Sequence, residues 1–88
     1  MEIELTSRAK QDLAYWKKIG NEQILRKIRE LIASIVENPY QGIGNPEALK
    51  YHLSGKWSRR ITQKDRLVYE ISKDTLYIFS LKGHYENL

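Results

Sequence analysis

The stretch "NEQILRKIRELIASIVENP", residues 21–39, decides the fold because it specifies a long amphipathic helix. Its apolar residues recur at the three- and four-residue spacing of one helix face. They are Ile24, Leu25, Ile28, Leu31, Ile32, Ile35 and Val36. Asn21 is a suitable N-cap, since its side chain can accept a hydrogen bond from a free N–H of the first turn. Pro39 disfavours helical backbone at the preceding residue, so the helix should end at Asn38.

A shorter helix should precede this one, after a short strand at residues 2–5 in which polar and apolar residues alternate. Thr6 or Ser7 can cap the shorter helix, which should run to about Ile19. Gly20 tolerates left-handed backbone and should end it. Because the connection between the two helices is so short, they should pair as an antiparallel hairpin. The apolar face of the first helix is formed by Ala9, Leu13 and Trp16.

After a loop at residues 39–47, rich in glycine and proline, the pattern becomes that of β-strands. The predicted strands are residues 49–53, 57–62, 66–72 and 75–82. Turns as short as these join antiparallel strands. The sequence therefore predicts an α+β fold, a single domain spanning residues 1–88. In it, a two-helix hairpin packs on one face of a mainly antiparallel, twisted sheet of four to five strands, with residues 2–5 at an edge.

Composition excludes several classes of protein. The 88 residues include no cysteine, which rules out disulfides and thiolate zinc sites. The two histidines, His52 and His84, lie far apart and outside any metal-binding motif, so we expect no metal and no cofactor. No run of apolar residues approaches the length of a membrane span or of a signal peptide. We therefore expect a cytoplasmic protein that does not bind membranes.

Positive charge is concentrated in one part of the chain. The net charge is +4; residues 1–40 contribute only +1, whereas residues 50–66 carry six Lys/Arg against one Asp. A basic stretch of this kind favours a polyanionic partner. Composition alone supports equally well a solvated face that keeps the protein soluble.

Single candidates for acid–base chemistry are weak when each is taken alone. Glu47 in the loop and His84 near the end of the chain are, by residue type and position, more often solvated surface groups. Arg59 and Arg60 are adjacent on a predicted strand and must point to opposite faces, so only one of them can line a site. Trp57 and Tyr69 are expected to fill the core or the sheet face.

One reaction needs only this inventory. RNA carries its own nucleophile, the 2′-hydroxyl beside each phosphate. Its cleavage requires a base for the hydroxyl proton, an acid for the leaving 5′-oxygen and cations for the charge that develops on the phosphoryl group. A carboxylate suits the base, histidine suits the acid, and the planar fork of arginine suits the phosphate.

The pattern "PE-x-LK-x-x-LSG-x-WSRRI-x-x-x-x-RLVY" over residues 46–69, followed by "GHY" at 83–85, resembles the Txe/YoeB family of toxins in the RelE/ParE superfamily. The looser match of the N-terminal half extends the resemblance over essentially the whole chain. It implies a RelE-like fold and a ribosome-dependent mRNA endonuclease that cuts in the decoding A site of the 30S subunit.

The resemblance also implies roles for individual residues. Glu47 falls on the family's general base, His84 on its general acid and Arg66 on the arginine that stabilises the phosphate. Residues expected to bind RNA or support the site are Lys50, Arg60, Tyr85 and the neighbouring Arg59, with Tyr85 placing the substrate base. The chain departs from the family at Asn45 and Ala48, where relatives often carry lysine and proline. It also departs at Glu86, Asn87 and Leu88, which follow the His-Tyr pair. Two readings of this tail remain open: Glu86 weakens phosphate binding, or the tail has no effect on the site.

Partners follow from the same resemblance. It implies neutralisation by a cognate, YefM-like antitoxin whose acidic segment covers the site, a homodimer, and contact with operator DNA only through the toxin–antitoxin complex. Two alternatives remain open from the sequence. One is a toxin of the same fold that binds gyrase without cleaving RNA, and the other is a small basic module that binds nucleic acid non-specifically.

Overall fold

The long helix α2 spans Glu22–Glu37 in the computed structural model, which describes residues 1–85. Asn21 caps it as predicted, with Oδ1 accepting a 3.1 Å hydrogen bond from the Ile24 N–H. The shorter helix α1 spans Ser7–Lys18, and its cap is Thr6. Gly20 has a φ of +68°, which confirms the left-handed stop. The Glu86–Leu88 tail and its expected effect lie outside the described residues.

Five strands form one sheet in the order β1-β5-β4-β3-β2. Their bounds are β1 Glu2–Leu5, β2 Glu47–Ala48, β3 Trp57–Arg60, β4 Arg66–Ser72 and β5 Thr75–Ser80. Strands β2 to β5 pair antiparallel, while β1 lies at an edge and pairs parallel to β5. The predicted α+β class, the edge position of the first strand and the mainly antiparallel sheet are confirmed.

Both helices cover one face of the sheet and form the main core with it. Tyr69 on β4 and Ile78 on β5 point to this face as paired neighbours, and both are fully buried. The buried side chains of this core are Ala9, Trp16, Ile24, Leu25, Ile28, Leu31, Ile35, Ile61, Leu67, Tyr69, Leu76, Ile78 and Leu81. Burial of this apolar set is the main stabilising term of the fold.

The predicted strand at 49–53 is wrong. The strand in this region is the two-residue β2, and Tyr51–Leu53 forms a 3₁₀ turn. Strand alternation would put Leu49, Tyr51 and Leu53 on one face, yet Tyr51 is 89% exposed while both leucines are buried. Tyr51 has a φ of +57°, and its carbonyl accepts the Ser54 N–H, which bends the chain over the sheet.

This bend partly covers the sheet face opposite the helices. Leu49 and Leu53 pack there with Val68 of β4, and Phe79 and Tyr85 pack against them. Phe79 follows the helix-facing Ile78 and so points to this second, smaller core by strand alternation. A register shift lies beside it: Val68 pairs with Ser80, whereas the next residue pairs with Ile78. The sheet face opposite the helices is therefore shallow and partly apolar, and it can hold a site.

Within residues 1–85, neither helix has the length and apolarity needed to cross a lipid bilayer.

Candidate active site

The loop that leads to Glu47 is built around the buried guanidinium of Arg59. All five N–H groups of this side chain donate to oxygen atoms of residues 1–85, and none of these oxygen atoms belongs to a carboxylate. The acceptors are Tyr69 Oη at 3.2 Å, Ser34 Oγ at 2.7 Å and the carbonyl oxygens of Asn38 at 2.7 Å, Gln41 at 3.1 Å and Ile43 at 3.1 Å. The loop thus takes its shape from a cation inside it.

Two glycines let the loop close on this cation. A Cβ at Gly42 would clash with Ser34 Oγ and lie 2.9 Å from Arg59 Nη1, and a Cβ at Gly44 would lie 2.6 Å from a Leu31 methyl. Both glycines have positive φ. The Gly44 carbonyl then accepts a 2.7 Å hydrogen bond from the Arg60 N–H, which fixes the loop on β3 just before Glu47.

The position of Arg59 corrects one expectation. Its side chain is fully buried and its donors are all used by the protein, so it does not lie where RNA could contact it. Arg60, the next residue, is exposed on the opposite face of β3. The rule that only one of the two arginines can line a site is confirmed, and Arg60 is the one at the surface.

The register of the sheet brings three of the candidate residues to the face opposite the helices. Glu47 pairs with Ser58, which in turn pairs with Val68, and Arg60 pairs with Arg66. Paired residues share a face, as do residues two apart on one strand. With strands about 4.8 Å apart and a rise of about 3.3 Å per residue, the Cα atoms of Glu47 and Arg66 are separated by roughly 12 Å.

Arg66 is half-buried and ordered by the turn before it. Its Nη1 donates to the carbonyl oxygens of Thr62 at 2.8 Å, Gln63 at 3.0 Å and Asp65 at 3.2 Å. These three bonds involve only Nη1 and fix the plane of the guanidinium. The N–H groups on Nε and Nη2 therefore have a defined direction. A fork held this way is suited to two oxygens of one phosphate.

His84 reaches the site on a segment that is bonded to the same turn. The Arg66 N–H donates to the Gly83 carbonyl at 2.9 Å, and the Gly83 N–H donates to Asp65 Oδ1 at 2.8 Å. The imidazole therefore follows directly on a residue that is fixed beside Arg66. Its ring centroid lies 4.1 Å from that of Tyr85, with the planes tilted by 37°.

Tyr85 forms one wall of a cleft of about 380 Å³ on this side of the sheet. Glu47 and Lys50 lie on the same cleft, and the 3₁₀ turn forms its outer rim. The lining residues are Glu47, Ala48, Leu49, Lys50, Tyr51, His52, Leu53 and Tyr85. The structure therefore gathers a carboxylate, a lysine and an aromatic ring around one cavity, with His84 stacked beside the ring and the Arg60–Arg66 pair farther along the face.

This arrangement contains the groups that acid–base chemistry at a phosphate requires. A carboxylate lies on the cleft, an imidazole is stacked beside its aromatic wall, a cationic pair lies farther along the face, and the aromatic ring offers a face for a base. Residues 1–85 bring together no cluster of carboxylates and imidazoles that could hold a metal ion. Burial raises the pKa of Tyr69, against the opposing effect of its hydrogen bond to Arg59, so this phenol stays protonated under the loop.

Sequence reasoning missed two carboxylates that shape the site, Asp12 and Asp65. Asp65 had a local signal: in "TQKD", the Thr62 hydroxyl accepts the N–H groups of Lys64 and Asp65 and donates to the Asp65 carboxylate, a polar turn motif. Asp12 has no such signal, because it acts on a segment 69 residues away.

Comparison with known proteins identifies relatives of this chain. The family model described as "YoeB-like toxin of bacterial type II toxin-antitoxin system" matches residues 5–85. Toxin YoeB of Escherichia coli strain K12 is 41% identical over 85 residues, which cover 97% of this chain and 100% of that protein. Toxin YoeB of a Synechocystis species is 42% identical over 86 residues, covering 98% of this chain and 99% of that protein.

Solved structures agree with the sequence relatives. A YoeB/ParE toxin from Agrobacterium tumefaciens superposes with a TM-score of 0.92 at 33% identity, covering 97% of this chain and 100% of its own. A YoeB dimer and a YoeB–YefM complex from Staphylococcus aureus each superpose with a TM-score of 0.88, at 38% and 40% identity, with 97% of this chain and 98% of theirs covered.

Proposed function

The chain belongs to the YoeB-like toxins of bacterial type II toxin–antitoxin systems, and from that premise we propose that it is an endoribonuclease that cleaves mRNA in the ribosomal A site. The reaction uses the 2′-hydroxyl of the substrate as nucleophile and needs no metal. Cleavage of mRNA during decoding inhibits translation, which is how the protein acts as a toxin.

In this mechanism Glu47 takes the proton of the 2′-hydroxyl as it attacks the adjacent phosphorus. The bond to the 5′-oxygen breaks, His84 protonates that oxygen, and the phosphate is left as a 2′,3′-cyclic ester. Arg66 binds the non-bridging oxygens as negative charge develops on them, with Arg60 opposite it in the sheet. Lys50 contributes positive charge at the cleft, and Tyr85 offers its ring to the substrate base.

The observation that carries the proposal is the pair of hydrogen bonds that hold Gly83, one accepted by its carbonyl from the Arg66 N–H and one donated by its N–H to the Asp65 carboxylate. Through them the histidine follows a residue fixed beside Arg66, and its ring stacks on Tyr85, which lines the same cleft as Glu47. In-line displacement requires a base where the nucleophile attacks the phosphorus and an acid where the leaving oxygen departs, on the opposite side of that phosphorus.

The test is cleavage of a reporter mRNA on programmed ribosomes, read by primer extension. Glu47→Gln, His84→Gln and Arg66→Ala should each slow cleavage by about 10²- to 10⁴-fold. Glu37→Gln and Arg26→Ala, which change exposed residues of α2, are the matched controls and should cleave at the wild-type rate. Wild-type rates in all three site variants would refute the assignment. Inhibition of gyrase supercoiling without any cleavage would favour the non-nucleolytic alternative.

We further propose that a cognate antitoxin of the YefM type neutralises the protein by covering the cleft, in the cytoplasm. The YoeB–YefM complex from Staphylococcus aureus supports an antitoxin partner, and the YoeB dimer from the same organism supports a homodimer. Lys50, Arg60 and Arg66 give the site a positive charge that an acidic segment would match. Operator DNA would then be bound only through the toxin–antitoxin complex.

A further inference from the structure

The segment Leu81–Gly83 connects β5 to His84 and is held by side chains of two other parts of the fold. At Leu81, the N–H donates to Asp12 Oδ2 at 2.9 Å and the carbonyl accepts the indole N–H of Trp16 at 2.9 Å, both from α1. At Gly83, the N–H donates to Asp65 Oδ1 at 2.8 Å and the carbonyl accepts the Arg66 N–H at 2.9 Å. Each of these two residues thus has both backbone groups bonded.

Asp65 is the side chain in this set that is bonded to the residue just before the histidine. Its other oxygen, Oδ2, accepts a 2.8 Å hydrogen bond from the Thr62 hydroxyl, so both oxygens of the carboxylate are engaged. Thr62 also caps the turn through the Asp65 N–H at 3.0 Å. The hydrogen bonds to Thr62 therefore hold the Asp65 carboxylate in place. Its bond to the Gly83 N–H in turn holds the residue just before His84.

Gly83 makes the direction of the chain sensitive to this bond. Its φ of +78° is a left-handed conformation that directs the following residue away from the line of β5. On the far side of the histidine, Tyr85 packs against the second core. The backbone of His84 is held at both ends, by Asp65 through Gly83 and by apolar packing through Tyr85.

We propose that Asp65 is a positioning residue that sets the location of the His84 imidazole for proton transfer to the leaving 5′-oxygen. The inference rests on the proposed function. An acid must come within hydrogen-bonding reach of the atom that it protonates, and a displacement of about 1 Å can cost about 10²-fold in rate. Asp65 does not touch the substrate in this account, and it acts only through the backbone of Gly83.

Three variants separate this role from a general effect on folding. Asp65→Ala removes the acceptor, whereas Asp65→Asn keeps an oxygen that can accept from the Gly83 N–H. Asp74→Ala is the matched control, because Asp74 is an exposed aspartate in the turn between β4 and β5. Thermal unfolding of all three variants reports their stability.

The deciding experiment compares two reporter mRNAs on programmed ribosomes. One is all-oxygen, and the other carries a single 5′-bridging phosphorothiolate at the cleavage position. A thiol has a pKa of about 8.5, so a sulfur leaving group departs without an acid. On all-oxygen mRNA, we expect Asp65→Ala to cleave roughly 10- to 100-fold slower than wild type, with Asp65→Asn and Asp74→Ala near wild type. On the sulfur substrate, Asp65→Ala and His84→Gln should both recover to near the wild-type rate.

The inference is overturned if Asp65→Ala cleaves all-oxygen mRNA at the wild-type rate while His84→Gln is slow, which leaves the proposed function intact. It is also overturned if Asp65→Ala is equally slow on both substrates, because a variant that is merely destabilised or binds ribosomes poorly would behave in this way. If His84→Gln cleaves all-oxygen mRNA at the wild-type rate, the proposed acid and this inference fail together.

Discussion

Replacing Arg59 by lysine should strongly destabilise the protein, although the charge is kept. The guanidinium presents five N–H groups, and all five are bonded to oxygens of α2, the 38–43 loop and Tyr69. An ammonium group has three N–H bonds, on a flexible stem, and cannot reproduce the planar fork. At least two acceptors therefore lose a charged donor inside the protein.

The size of the effect follows from those lost bonds. A hydrogen bond to a charged group contributes about 1.5–3 kcal/mol, so the loss of two lowers the free energy of unfolding by about 3–6 kcal/mol. Small domains have only about 5–15 kcal/mol in total. For a chain of this length, even the lower figure corresponds to a fall in Tm of at least about 12 °C.

Urea unfolding followed by the fluorescence of the buried Trp16 measures this change. Arg60→Lys is the matched control: the neighbouring arginine is exposed, and its replacement should change the free energy of unfolding by less than about 0.5 kcal/mol. If Arg59→Lys is destabilised by less than about 1 kcal/mol, the loop carbonyls find other donors, and the loop is not shaped by the buried cation.

Three other outcomes are expected. Gly44→Ala should be much more destabilising in urea than Gly20→Ala, since both have positive φ but only at Gly44 does a Cβ meet Leu31. Because burial raises the pKa of Tyr69 in the folded state, the stability that its neutral form provides is complete below pH 10.0 and is lost as pH rises through that raised pKa. Tyr69→Phe should remove this dependence in unfolding curves measured from about pH 8 to 11. Arg60→Ala should weaken RNA binding and reduce the salt slope of log K by about 0.7, as for one lost contact to single-stranded phosphate.

The local sequence pattern was sufficient to predict the helices and the strands β3 to β5, because the spacing of their own residues specifies them. Both helices have the predicted caps, because Asn21 and Thr6 need only the N–H groups of their own first turns. The strands β3 to β5 are joined by short turns, which fixed their antiparallel pairing. The α+β architecture followed from these elements alone.

The errors arose where distant groups decide the conformation. Residues 49–53 read as a strand because leucines stand at both ends, yet those leucines pack on Val68 and Phe79 and draw the chain into a 3₁₀ turn. Arg59 was expected to bind RNA or support the site, yet it is fully buried, which is rare for arginine. Its burial depends on carbonyl oxygens that no sequence pattern reveals.

The sequence proposed the residues of the candidate site, and their roles stay predictions. The strand register of the structure puts Glu47, Arg60 and Arg66 on one face. The arrangement of His84 was not predictable. It depends on Asp12, Trp16 and Asp65, which belong to α1 and a turn and reach the segment through single hydrogen bonds. Contacts of this kind leave no periodic signal.

The parallel pairing of β1 with β5 ties the order of folding to the order of synthesis. Glu2 pairs with Thr75, and the Thr6 N–H donates to the Ile78 carbonyl, so the first strand to leave the ribosome must wait for the last. Pairing across so long a separation closes a large loop, which makes it a late event in folding. A nascent chain extended to residue 74 holds both helices but offers β1 no neighbour and carries no histidine beside Arg66. The site is therefore assembled only after β5 and the segment that carries His84 have been synthesised.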